Sequence, residues 1–421
     1  MARRRIFHGW KVVGAGAVLQ ALQSGLFINA LGHYAVLFHE QFGWNRTTLS
    51  VGYALNRVES GLLGPVQGKA LDRFGTRSVM RVGVVLLSIG FMLFSQIEKP
   101  WHYFGALVVM AVGASLCGFL SVVTATVRWF ERKRARALSV SSLGFALGGT
   151  MIPVVVLSFD RFGWRPVAFA SGLIILIVGF PLTWVFGGLP ADRGQFVDGV
   201  DPVDIDHTAF VAEGVSSVHF TASEAIRTRA FWMISFGHAS ALLVVGAVTA
   251  HLALFLTDEQ GYTKAEAAFV AGGLPLLQLV GMLAGGYLGD RVNKRLLASI
   301  AMLGHMVGML LLTYATSRVM VWAFVPFHGL AWGLRGPLMQ ALRADYFGST
   351  SFGAIMGLSS VIVMLGTAGG PLFAGILADA TGSFRPGFTI LALMAGAGMI
   401  FFVLATPPSP PVRGAVPAPG A

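Results

Sequence analysis

Runs of about twenty apolar residues, set apart by short polar loops, recur from Lys11 to Pro408. Crossing the roughly 30 Å hydrocarbon core of a bilayer takes about 20 helical residues. Inside it each backbone N–H and C=O must find its partner within the same segment, so a chain patterned this way is driven to a bundle of helices. Crossings are expected at 11–38, 47–67, 78–97, 102–127, 137–158, 166–187, 230–256, 265–288, 295–315, 319–341, 350–378 and 385–406. Only 12% of the 421 residues are charged, about half the share in an average soluble domain. Met1 to Arg5 lead straight into the first span with no small-residue cleavage site before the second, which argues against a cleaved leader.

The net charge of +11 raises nucleic acid as a partner, but the basic residues sit in short loops rather than on one soluble face. Of the 30, 21 lie in or beside the termini and even-numbered loops, 7 in or beside odd-numbered loops and 2 deep within spans. Positive charge marks the cytoplasmic side, so both termini and the linker are expected there, in a bacterial cytoplasmic membrane. A lone Cys117 excludes a disulfide framework and a cysteine-based zinc site.

The chain repeats itself. Gly68-Lys-Ala-Leu-Asp72-Arg73 recurs as Gly286-Tyr-Leu-Gly-Asp290-Arg291, 218 positions later. Gly43-Trp44 matches Gly261-Tyr262, Phe130 matches Phe347, Ala137 matches Ala354 and Arg165-Pro166 matches Arg385-Pro386, all at nearly the same displacement. The fold class expected is an all-α membrane protein of twelve transmembrane helices in two pseudo-symmetric six-helix bundles, rocking about a site at mid-membrane. The domains are 1–190, a cytoplasmic linker at 191–224, a second bundle at 225–410 and a flexible tail at 411–421. The polar stretch from Gly188 to Arg229, with Asp192, Asp198, Asp201, Asp204 and Asp206, reads as a solvated, poorly ordered connector.

Gly68, Asp72, Arg73, Gly75 and Arg77 reproduce the signature between helices 2 and 3 of the major facilitator superfamily, and the chain resembles that family along nearly its whole length. The resemblance implies the major facilitator fold, and a gate in which Asp72 and Asp290, with Arg73 and Arg291, latch the cytoplasmic side closed. The second copy has Asn293 where the signature has glycine. Within the family, His8-Gly9-Trp10-Lys11-Val12-Val13, Arg128-Trp129-Phe130 to Arg136-Ala137-Leu138, and Asp345-Tyr346-Phe347-Gly348 look like bacterial relatives of monocarboxylate carriers and oxalate/formate antiporters. Such carriers typically hold the carboxylate with a basic residue in helix 8 and often a lysine in helix 1. Here helix 8 has no basic residue and Gly32 stands about where the lysine would be.

Ionisable groups inside a span cost about 2.5 to 3.5 kcal/mol on insertion scales and usually line a cavity or pair. Three qualify: Arg57, Glu59 and Arg335. Arg57 and Glu59 point to opposite sides of their helix, and Arg57 shares its side with small and polar residues. His328, Trp332 and Arg335 share one face of helix 10. Arg335 and Arg57 are therefore candidate anion-binding residues or members of structural pairs, and Glu59 is a candidate carrier of a coupling proton or an interhelical partner. Gln20, Gln23, Ser24 and Tyr34 on helix 1, Ser121 on helix 4 and His238 on helix 7 complete the candidate substrate site, with helix-to-helix hydrogen bonding as the alternative.

No nucleotide loop, His-Glu-x-x-His pair or nucleophile elbow is present, so no enzyme is expected. The expected function is secondary transport of a small organic anion, in the first place a monocarboxylate, by proton symport or anion exchange, in a monomer without cofactor. A multidrug exporter of the same fold and a transporter-like receptor without flux are the alternatives.

Overall fold

The computed structural model describes residues 7–44, 46–200 and 219–411, without the side chains at 46, 47, 50, 53–61 and 264. Among these residues lie twelve long helical segments: α1 His8–Phe42, α2 Arg46–Phe74, α3 Thr76–Phe94, α4 Pro100–Val127, α5 Arg134–Phe162, α6 Trp164–Phe186, α7 Arg229–Glu259, α8 Lys264–Gly289, α9 Lys294–Thr313, α10 Arg318–Phe347, α11 Phe352–Thr381 and α12 Arg385–Leu404. Ten are long and apolar enough to cross a membrane. The other two, α2 and α10, are 29 and 30 residues long and are the helices in which the sequence puts Arg57, Glu59 and Arg335.

The ends are set locally. Side-chain caps start α7 to α10: Thr263 and Glu266 close a reciprocal capping box on α8, and Ser317 accepts from the Met320 N–H at the start of α10. A helix then runs until the backbone is turned. Thus α10 continues past its expected end at 341 to Phe347, where Gly348 at φ +76° stops it. The extra turns bring Arg343 and Asp345 into the helix, both buried. Short π-helical stretches widen α1 at mid-length, Ser24–Ile28, and α7 at its end away from the signature loops, Phe255–Glu259.

Each half has its own apolar core. One contains Val12, Phe27, Phe38, Phe91 and Trp164; the other contains Phe231, Phe255, Phe324 and Phe388 and reaches across to Val123, Val127, Ala135 and Leu138 of the first half. The halves meet through α2 against α11 and α5 against α8, through 119–127 of α4 against α10 and α11, and through 134–149 of α5 against α10. These stretches lie toward the end that carries the signature loops. The later part of α5, Ile152–Phe162, is absent from these close pairings. The protein is closed at the signature end.

The start of the linker is docked rather than solvated. The Asp198 carboxylate accepts from the N–H groups of Glu131, Arg132 and Lys133 at 3.1, 2.8 and 3.2 Å, and the Asp198 N–H donates to the Trp129 carbonyl at 3.0 Å. An acidic side chain here satisfies backbone donors before α5, which the sequence reads only as linker charge. Asp201, Asp204 and Asp206 lie outside the described residues.

Candidate functional site

At the signature end two carboxylates are exchanged between halves. Asp72, in the last turn of α2, accepts from the Gly353 and Ala354 N–H groups at 3.2 and 2.8 Å, at the start of α11, and pairs with Arg128 at 3.4 Å. Asp290, just past α8, accepts from the Ala135 and Arg136 N–H groups at 2.9 and 3.3 Å, at the start of α5, with Arg136 Nε 3.9 Å away. Each acid thus caps a helix of the other half, where unpaired N–H groups and the helix dipole both favour negative charge. Burial pushes the Asp290 carboxyl up to about 6 against the opposing pull of the Ala135 and Arg136 N–H groups, Lys294 and Arg136. Burial lowers the Arg128 guanidinium, with Asp72 opposing.

The signature glycines have separate reasons. A Cβ on Gly68 would overlap the Gly353 carbonyl, so glycine lets α2 and α11 touch backbone to backbone. Gly75 sits at φ +77° and opens α3. Its counterpart Asn293 solves the same turn differently: at φ −55° its side chain accepts from the Arg295 and Leu296 N–H groups at 2.9 and 3.3 Å. Arg77 donates to the Trp184 carbonyl at 2.9 Å, which ties α3 to α6, and Arg73 is exposed. Asp345 joins the halves again, pairing with Arg134 on α5 and, at 2.9 Å, with Lys294.

The stretches that suggested monocarboxylate relatives form two matching aromatic contacts at this end. Phe7 and Trp10 pack edge-on against Phe130, and His8 lies against Trp129. Phe220, where the linker re-enters, packs against Phe347 at 5.5 Å and donates its N–H to the Phe347 carbonyl.

Deeper in the second half, α10 places four side chains along one side. His328 and Trp332 lie with ring centroids 6.3 Å apart, and Arg335 and Arg343 follow, each 1% exposed. Arg335 Nε and Nη1 have no hydrogen-bond partner. Arg343 Nη1 donates to the Met339 carbonyl at 3.1 Å; Nη2 donates to Ser359 Oγ on α11 at 2.7 Å and to His238 Nδ1 on α7 at 3.4 Å; Nε is unpartnered. Among the described residues neither guanidinium has a carboxylate within ion-pair distance. Two cations buried on one helix side without a counter-charge carry a penalty of several kcal/mol per ion. The two unpartnered donors of Arg335 form a fork suited to a small anion.

Sequence reasoning singled out His328, Trp332, Arg335 and His238, and the structure joins the last to that face through Arg343. Arg343 itself was missed because the helix was expected to end at 341, although its i+8 spacing from Arg335 is legible. His305, on α9, was also missed; its ring lies 4.7 Å from that of His328. The first-half candidates are engaged elsewhere. Gln20, Gln23 and Ser24 donate to the carbonyls of Ser141, Ala114 and Phe145 at 3.1, 2.5 and 2.7 Å, binding α1 to α5 and α4. Ser121 donates to the Leu116 carbonyl and accepts from Gln67. Tyr34 is buried among Phe38, Phe94 and Phe159. The side chains of Arg57 and Glu59 lie outside the described residues.

Two six-helix bundles, latched at one end by exchanged carboxylates, define a secondary membrane transporter rather than an enzyme. The chain belongs to the Major Facilitator Superfamily, whose pattern matches residues 13–274 and 234–420. It is 23% identical to monocarboxylate transporter 13 of Bos taurus over 96% of this chain and 92% of that one. It is 27% identical to monocarboxylate transporter 11 of Homo sapiens over 94% of this chain and 82% of that one. Its fold is similar to that of the human organic anion transporter MFSD10, with a TM-score of 0.70 at 14% identity, covering 94% of this chain and 99% of that one.

Proposed function

We propose that this protein carries a small organic anion, in the first place a monocarboxylate, across the cytoplasmic membrane by rocking residues 1–190 against 225–410, with both termini on the cytoplasmic side. The observation that carries the reading is the pair of buried guanidiniums of Arg335 and Arg343 on one side of α10, neither with a carboxylate within ion-pair distance among the described residues. A carboxylate in this site binds Arg335, which has two donors without a partner among the described residues, while Arg343, His238 and Trp332 shape the site around it. The relatives named as monocarboxylate transporters support the same substrate class. Asp72 and Asp290 hold the cytoplasmic end shut while the anion binds, and Arg57 and Glu59 on α2 remain candidates for the facing wall of the site.

The test is uptake of labelled lactate, pyruvate, oxalate and formate into proteoliposomes, with and without an imposed pH gradient. Saturable uptake that is abolished by Arg335→Gln in folded protein supports the reading. Absence of uptake of every acid by folded wild type rules the monocarboxylate assignment out. The gradient arm separates proton symport from exchange.

A further inference from the structure

His305 on α9 and His328 on α10 are both fully buried and meet through their Nδ1 atoms at 3.2 Å. Both Nε2 atoms are buried and without a partner. Two neutral imidazoles can make this bond in one way only: one ring donates through Nδ1–H and carries a bare Nε2, while the other accepts at Nδ1 and carries its proton on Nε2. The bare Nε2 is a base with no hydrogen-bond partner, in a core where an unmet polar group costs about 1–3 kcal/mol. Packing alone gives no reason for two such atoms facing each other across two helices, since leucine or methionine would fill the same space.

Among the described residues the surroundings of the pair are sparse in charge. The charged group whose field reaches both rings is Arg335, two turns along α10 from His328. On α9 itself no other titratable residue lies between Arg295 and Thr313. Of the helices packed against α9 and α10, α12 carries none between Arg385 and Leu404, and α8 carries none between Glu266 and Tyr287. On α7, His238 belongs to the Arg343 contact, and Arg229, His251, Asp258 and Glu259 lie toward the helix ends. On α5, Arg134 is held by Asp345, Arg136 stands beside Asp290, and Asp160 and Arg161 lie at the far end.

From this geometry we propose that the His305–His328 pair is the coupling site, binding one proton together with the anion held by Arg335. This rests on the anion reading of that site. The proton adds to the bare Nε2, the Nδ1–H···Nδ1 bond stays between the rings, and the same proton leaves to water on the opposite side once the halves have rocked. Nothing is oxidised or reduced. A cation on the pair and the cation of Arg335 repel across a low-dielectric core, whereas a carboxylate seated on Arg335 cancels that repulsion. Anion and proton therefore bind with positive cooperativity, and linkage makes the effect reciprocal. The latch at the signature end separates the pair from the water on that side, so a proton bound with the anion does not cross until the halves rock.

The test variant is His305→Asn, which keeps a hydrogen-bonding partner for His328 Nδ1 but does not titrate. In proteoliposomes it should lose uphill accumulation driven by an inward proton gradient, while exchange of internal for external carboxylate at equal pH continues. In weakly buffered detergent solution the wild type should take up one proton per anion bound, read with a pH indicator dye, and His305→Asn should bind the anion without taking up the proton. Undiminished accumulation by His305→Asn overturns the proposal, and so does loss of exchange together with accumulation in folded variant protein. Failure of the wild type to bind or carry any carboxylate is a different result, which overturns the anion reading and with it the coupling.

Discussion

Arg335 shows how far a single residue can be read from sequence. A lone guanidinium in an apolar run is costly, and that cost alone marks it; its companion Arg343 was hidden by a helix end placed six residues too early. The expected outcome for Arg335→Lys is a partial loss of carboxylate affinity, since lysine keeps the charge but not the fork, whereas Arg335→Gln removes saturable uptake altogether; dose–response curves for one transported acid distinguish the two. Asp198 makes the opposite case, an acid that sequence reads as solvated linker charge and that caps three backbone donors. Asp198→Ala leaves those donors without their partner and should destabilise the protein by about 1–3 kcal/mol, read as a lower melting temperature in detergent. Gln20, Gln23 and Ser24 show why polar residues in spans are hard to assign: a side chain that binds a neighbouring carbonyl and one that binds a ligand look alike in sequence.

At the scale of helices, the latch joins α2 to α11 and α8 to α5. The signature motif names its residues, but the chain carries no sign of which helix ends they cap. Gly68→Val puts a branched side chain where the Gly353 carbonyl lies, so the halves cannot close at the signature end. The expected result is expressed, folded protein with no transport and a permanently open signature end, measured as cysteine accessibility at Lys133→Cys. Asp290 gives the latch a pH dependence. Its carboxyl titrates near 6 in the closed latch because it is buried, and returns toward an ordinary aspartate once that end opens to water. The closed state therefore binds the proton more tightly, and lowering the pH through about 6 favours closure; above that range the buried charge weighs against it. Spin labels placed on the two halves should show the signature end closing as pH falls from 7 to 5, and Asp290→Asn should remove the dependence.

Across the whole molecule, the proposed rocking has the two bundles part at the signature end. Lys133→Cys and Arg291→Cys flank one polar pocket of about 350 Å³ between the halves. Bridging them with a reducible bis-maleimide should stop transport while leaving anion binding from the open end, and reduction should restore flux. Survival of transport in the bridged protein would count against rocking about this end. The sequence by itself determined that this chain is a duplicated, twelve-helix membrane transporter, because the bilayer permits so few backbones and because a repeat at constant displacement leaves little other topology. It also named Arg335, since charge within lipid is rare enough to stand out, and both latch acids through the repeated signature. Tertiary structure alone decided which helix each acid caps, that Arg343 and His305 belong with Arg335 and His328, and that Gln20, Gln23 and Ser24 are spent on binding helices together. Those outcomes depend on which faces of distant helices meet, and hydropathy, which fixes that a segment crosses the membrane, says little about how it is rotated within the bundle.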